Sequence, residues 1–175
     1  SVGEILSITP LIEYYEKDKS VDQILITSST LSSSKVLNQF KFKKTVHQFY
    51  PIDHIFFTSK FLNHWKPNIA IFIESEIWPY MFRELKLKNI PIILLNARIT
   101  KKTFNRWMKF RNFAQKIFNK IEIAYPQNLE TKFFLNKLKT SKIKTLGNLK
   151  FSENNNKKDN SISNKLKHEL KKKKI

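Results

Sequence analysis

Cysteine does not occur in this chain, which excludes a disulfide framework and any thiolate metal site. Glycine occurs only twice, at Gly3 and Gly147. No Walker A loop, G-x-G-x-x-G or G-x-S-x-G pattern is present. His47, His54, His64 and His168 do not fall at metal-ligand spacing, and acidic residues are too few for a metal cage. No apolar run reaches the roughly 18 residues of a membrane span. The chain opens on Ser-Val-Gly-Glu, without the basic start and apolar core of a signal peptide.

Acidic residues are also scarce: 14, against 33 lysines and arginines, for a net charge of +19. Residues 152–175 hold eight Lys and three acidic residues, so +14 belongs to residues 1–151. Such a field favours an anionic partner, whether nucleic acid, a phosphorylated ligand or an acidic membrane surface. Compositional drift toward Lys, Asn, Ile and Phe explains it equally well, so charge alone does not select the partner.

The 41% of hydrophobic residues suffices for a packed core. Short Ile-rich runs alternate with amphipathic stretches. Strands are predicted at Gln23–Thr27, Thr45–Tyr50, Ile69–Ile73, Pro91–Leu95, Ile121–Tyr125 and Ile143–Leu146. Helices are predicted at Glu4–Lys17, Ser32–Phe40, Asp53–Trp65, Ile77–Leu87, Lys101–Ile117 and Leu129–Leu138. The strands alternate little between apolar and polar, as strands buried on both faces do. The expected fold is α/β: a Rossmann-like parallel sheet with helices on both faces. Residues 1–151 are expected to form the domain. The Lys- and Asn-rich residues 152–175 read as a linker or tail.

In such folds ligands bind beyond the carboxyl ends of the strands. The predicted strand ends are polar here: Thr27-Ser28-Ser29-Thr30, Pro51-Ile52-Asp53, Glu74-Ser75-Glu76, Asn96-Ala97-Arg98 and Gly147-Asn148-Leu149-Lys150. These segments, with Glu4, are expected to share one rim suited to a phosphorylated, sugar-like ligand. Glu4 precedes an apolar-periodic helix, whose positive N-terminus favours an ionised carboxylate; Ser-x-x-Glu is equally a helix cap. Gly3 would admit close approach of a ligand to the backbone. Glu74 and Glu76 could orient hydroxyls or cap the next helix. Arg98 offers bidentate anion binding or an ion pair to either glutamate. Lys150 could stabilise developing negative charge or be one more solvated lysine. Residues 103–117 place Phe104, Trp107, Met108, Phe110 and Phe113 beside Arg106, Lys109 and Arg111. That stretch could lie on an anionic membrane, but packing onto the sheet is the expected role.

Taken in order, Ser1-Val2-Gly3-Glu4, Pro10-Leu11-Ile12, Thr27-Ser28-Ser29-Thr30, Tyr50-Pro51-Ile52-Asp53, Glu74-Ser75-Glu76-Ile77-Trp78-Pro79, Asn96-Ala97-Arg98 and Gly147-Asn148-Leu149-Lys150-Phe151 resemble the N-terminal half of the lipid A-specific 3-deoxy-D-manno-octulosonic acid (Kdo) transferases. The resemblance covers residues 1–151. The chain departs from the family pattern at Leu31, Ser33, Tyr80 and Ser152.

The resemblance implies an inverting GT-B glycosyltransferase that needs no metal or cofactor and moves Kdo from CMP-Kdo to a lipid A precursor in lipopolysaccharide synthesis. It implies Glu4 as the base and Glu74 and Lys150 as stabilisers of the transition state; Ser1, Gly3, Thr27, Ser28, Glu76 and Arg98 of the polar segments are the candidate substrate-binding residues. It further implies a truncated chain, lacking the CMP-binding domain, the strand before Ser1 and the anchor. Such a chain would be inactive alone and peripheral on the cytoplasmic face of the inner membrane. Its partners would be the lipid A precursor and the anionic membrane surface, with CMP-Kdo bound only alongside a C-terminal domain and no nucleic acid. The competing readings are a basic nucleic-acid-binding α/β protein, whose binding would collapse with salt, and a nonfunctional remnant.

Overall fold

The computed structural model describes residues 2–145. Ser1, the Gly147–Lys150 segment and the 152–175 tail lie outside the described residues. The chain divides into two compact units, whose described parts are residues 2–50 and 51–145.

The first unit runs α1 (Val2–Lys17), β1 (Ile24–Ser28), α2 (Leu31–Leu37) and β2 (Thr45–Phe49). β1 and β2 pair in parallel, with Ile26 opposite His47 and Ser28 opposite Phe49. Ile5 and Ile12 of α1 meet Leu37 of α2, and Ile24, Ile26 and Phe42 pack around them. Thr30 starts α2, with its hydroxyl accepting from the Ser33 N–H and meeting the buried Ser33 hydroxyl at 2.7 Å. The loop before β2 is held by Glu16, whose carboxylate accepts from the Lys43 and Lys44 N–H groups and the Thr45 hydroxyl.

The second unit runs α3 (Ile55–Trp65), β3 (Ala70–Ile73), α4 (Pro79–Leu87), β4 (Ile92–Ala97), α5 (Lys101–Lys109), α6 (Arg111–Phe118), β5 (Ile123–Pro126) and α7 (Leu129–Lys137). Its sheet has the order β3-β4-β5 and is parallel throughout. Every residue of β4 and β5 is buried, as the unbroken apolar runs required. Phe82 and Leu85 of α4, Phe118 of α6, and Leu135 and Leu138 at the end of α7 complete the core. The Phe72 ring of β3 meets Phe82 edge-on at 4.8 Å. α3 ends on Lys66 in the left-handed region, φ 44°, its N–H returning to Leu62 O, with Pro67 following. The strand expected from Ile143 is seen as a parallel bridge to Ala124.

One predicted element is corrected. The helix expected over Lys101–Ile117 is two helices, broken at Phe110, which has φ −121° and ψ 53°. Nor does its aromatic face pack wholly onto the sheet: α5 has no buried residue. Phe104 stacks on Phe134 at 4.3 Å and Trp107 meets Phe118 edge-on. Phe110, at 72% exposure, and Phe113 stand in solvent.

Candidate functional site

Parallel pairing sets the carboxyl ends of β3, β4 and β5 side by side. Glu74 follows β3 directly. It is buried, at 9% exposure, and its backbone is left-handed, φ 55°, a conformation that costs a non-glycine residue roughly 1–3 kcal/mol. The neighbouring strand end grips it. Its N–H donates to Leu95 O at 2.9 Å, and its carbonyl accepts from the Arg98 N–H at 3.2 Å. The Ser75 hydroxyl donates to Arg98 O at 2.8 Å, closing a second link between the two loops. Glu76 accepts the Trp78 indole N–H at 2.7 Å. Glu74, Ser75, Glu76 and Arg98 therefore form one cluster, with the Arg98 side chain facing solvent.

Helix capping, the alternative role for this acidic loop, falls to another residue. Trp78 starts α4 without a side-chain cap, and Pro79 needs no N–H acceptor. The Asp53 carboxylate instead accepts from the Tyr80 and Met81 N–H groups, at 3.2 and 2.8 Å. Asp53 thus lies before α3 rather than within it, and His54 caps that helix through Nδ1 to the Phe56 N–H.

Asn96 stands beside Glu74 and was not singled out as a site residue in the sequence. It is 1% exposed and left-handed, φ 50°. Both polar atoms of its side chain are buried without a hydrogen-bond partner. Asn at a strand end carries little signal by itself, since it is common in any turn.

In the first unit, Glu4 occupies the first turn of α1 and is partly buried. Its carbonyl accepts from the Ser7 hydroxyl at 2.8 Å. Gly3 is exposed, and a Cβ there would meet open space. Thr27 and Ser28 end β1. The Ser28 hydroxyl lies 2.8 Å from His47 Nε2. Partial burial lowers the pKa of His47 from its ordinary 6.5 and so favours the neutral ring. His47 is a second group that sequence reading passed over: it was weighed only as a metal ligand, whereas its place in β2 puts it against Ser28. Ser1 and Lys150 lie outside the described residues.

Residues 1–153 match the family model described as "3-Deoxy-D-manno-octulosonic-acid transferase (kdotransferase)". The 3-deoxy-D-manno-octulosonic acid transferase of Rickettsia felis is 43% identical over 155 residues, covering 87% of this chain and 32% of that protein. The enzyme of the same name from Haemophilus influenzae is 29% identical over 158 residues, covering 89% of this chain and 37% of that protein. A probable mitochondrial counterpart from Arabidopsis thaliana is 38% identical over 107 residues, 61% of this chain and 24% of that protein. The chain thus spans between about a quarter and a third of the length of these curated relatives. Among solved structures, one titled "S. aureus MnaA-UDP co-structure" covers 94% of this chain and 48% of its own, with a TM-score of 0.56 at 13% identity. That likeness establishes the fold, the Rossmann-like N-terminal half of a GT-B architecture. With the family model matching most of its length, this chain belongs to the 3-deoxy-D-manno-octulosonic acid transferase family.

Proposed function

We propose that this chain is the acceptor-binding portion of an inverting glycosyltransferase. It would serve transfer of Kdo from CMP-Kdo to a hydroxyl of a lipid A precursor in lipopolysaccharide synthesis. Residues 1–151 form the acceptor domain in this reading, and the donor is held by a further C-terminal, CMP-binding portion. The observation that carries the proposal is the family match over residues 1–153, joined to the buried, left-handed Glu74 at the shared strand ends. Glu4, at the positive end of α1, takes the proton of the acceptor hydroxyl. The hydroxyl oxygen then bonds to the anomeric carbon of the donor from the face opposite the CMP leaving group. The bond from that carbon to the CMP phosphate breaks, and CMP leaves with the electron pair. Glu74 and Lys150 stabilise the charge that develops. Ser1, Gly3, Thr27, Ser28, Glu76 and Arg98 hold the substrates. No metal or cofactor takes part in this scheme.

The acceptor and the anionic inner-membrane surface are the proposed partners, met from the cytoplasmic face. Exposed apolar side chains support a lipid-facing role: Ile52, Phe56, Phe57 and Tyr80 around the start of α3 and α4, and Phe110 and Phe113 among the basic residues of α5 and α6. Among the described residues no helix is long and apolar enough to cross a membrane.

The test supplies the chain with a donor-binding portion and measures Kdo transfer to the tetraacyl disaccharide acceptor. Glu4→Gln should lower transfer about 100-fold or more, the scale of general-base catalysis, while acceptor binding persists. Transfer undiminished by Glu4→Gln removes Glu4 from the role of base. The chain alone should bind acceptor but show negligible turnover of CMP-Kdo.

A further inference from the structure

The carboxyl end of β1 carries a hydroxyl and an imidazole that the strand register brings together. Side chains alternate along a strand, so Ile24, Ile26 and Ser28 share one face of β1. The register sets Thr45, His47 and Phe49 of β2 beside them. That face is the covered one. Ile24 and Ile26 pack on Ile5, Ile12 and Leu37 of the two helices, and the Thr45 hydroxyl donates to Glu16 of α1. His47 thus takes a strand position where an aliphatic β-branched side chain would pack well. Its register partner is Ile26, yet its Nε2 reaches diagonally past Ile26 to Ser28, nearer the strand end. The Phe49 ring meets the imidazole edge-on at 5.1 Å and braces it there.

The Ser28 hydroxyl has two acceptors in range, His47 Nε2 at 2.8 Å and Thr30 O at 3.4 Å. Its single proton goes to the shorter contact, because 2.8 Å is ordinary for a hydroxyl donor and 3.4 Å is long. Nε2 takes that proton only when bare, which requires a neutral ring with its own proton on Nδ1. Burial lowers the His47 pKa from 6.5, which keeps the ring neutral at neutral pH. With its proton committed to the ring, Ser28 presents only lone pairs beyond the strand end. A ligand hydroxyl or amide N–H satisfies those lone pairs. An ionised phosphate oxygen is itself an acceptor and does not.

We propose that His47 is a positioning residue for Ser28. It holds the Ser28 proton at Nε2, so that the Ser28 oxygen accepts from a hydroxyl or N–H of the acceptor and disfavours a phosphate at that point. That Ser28 meets the acceptor rests on the reading of this chain as an acceptor-binding portion. The state of the Ser28–His47 pair does not rest on it.

The experiment uses the full chain, isotopically labelled at histidine, with the ring tautomers read by NMR at neutral pH. His47 should carry its proton on Nδ1 and show a bare, hydrogen-bonded Nε2. A proton on Nε2 overturns the proposal. Ser28→Ala should shift the Nε2 resonance as the bond is lost, and an unmoved resonance also overturns it. Inorganic phosphate should leave the tautomer unchanged; transfer of the ring proton to Nε2 overturns the stated preference. Binding of the tetraacyl disaccharide acceptor is then measured on the same chain. Ser28→Ala should weaken it roughly 2- to 10-fold, the scale of one hydrogen bond between neutral groups, and undiminished binding overturns the proposal. His47→Leu should weaken it by no more than that, and His47→Gln, whose side-chain oxygen takes the same proton, should restore most of the loss. The double variant of Ser28→Ala with His47→Leu should bind as Ser28→Ala does. Losses that multiply show independent roles and overturn the proposal. If the wild type binds no acceptor, the acceptor-binding reading fails, and the ring measurements still decide whether His47 holds the Ser28 proton.

Discussion

β1 and β4 are written in nearly the same residues, Ile-Leu-Ile against Ile-Ile-Leu-Leu, yet they sit at different depths. β1 is half-buried along its whole length, whereas β4 is buried at every position. β4 has a strand on each side, and α4, α6 and α7 contribute buried side chains to its unit. Among the described residues β1 pairs with β2 alone. The first unit compensates with polar fasteners. Glu16 accepts two backbone N–H groups and a hydroxyl, and the Lys44 ammonium donates to Asp18 O and Val21 O at 2.8 Å each. Depth stabilises by removing apolar surface from water and is insensitive to pH. Fasteners stabilise through groups that titrate. The two units should therefore fail under different stresses.

The sharpest way to break the contrast is to hollow the deep strand. Leu94→Ala should cost about 2–5 kcal/mol in urea unfolding of the second unit, as truncations in tight cores do. Ile26→Ala, in the half-buried β1, should cost clearly less in the first unit. Equal losses would show that depth is not what separates them.

A smaller effect belongs to a polar fastener of the deep unit, the Asp53 cap beside its site. Asp53→Ala removes the cap of α4 and should cost about 0.5–2 kcal/mol, read from amide exchange across α4.

Acid should sharpen the contrast from the other side. Burial raises the Glu16 pKa, but the Thr45 hydroxyl and the Lys43 and Lys44 N–H groups outweigh that and hold it below the usual carboxylate range. A lowered carboxylate stabilises above its unfolded pKa, and that contribution is lost as pH falls through the folded value. His47, lowered by burial, acts in the same direction, starting as pH falls below about 6.5. Tyr15 works at the opposite end. Burial first, then Tyr14 and Asp18, raise it to about 12, so its contribution holds below about 10 and fades as pH rises toward 12. Amide exchange from pH 7 toward 3 should thus loosen the first unit before the second, and Glu16→Gln should flatten the part of the acid limb below about 4.5.

The order and type of the elements were legible because uninterrupted apolar runs and helical periodicity are local signals. Five of the six expected strands agreed to within two residues, and the cluster of Glu74, Glu76 and Arg98 followed from parallel pairing. Three features were not legible, each for a physical reason. The break at Phe110 lacks Pro or Gly, and the rings that Phe104 and Trp107 meet just before it, Phe134 and Phe118, are brought there by tertiary structure. Asp53 caps a helix about 27 positions away, a contact that only tertiary structure creates. β4 also carries one extra residue against β5, a bulge at left-handed Asn96, and it hides because Asn stands where glycine would have flagged it.

That extra residue changes how length variation in this strand should be understood. Side chains alternate faces along a strand, so an added residue reverses which faces the later ones occupy. Deleting Asn96 would leave Ala97 opposite Pro126 in a regular ladder, because β4 runs three residues from Leu94 to Ala97 where β5 runs two from Ala124 to Pro126. Loss of the bulged residue is thus a change the ladder can absorb, whereas the same loss within the regular run of β4 would exchange inside for outside.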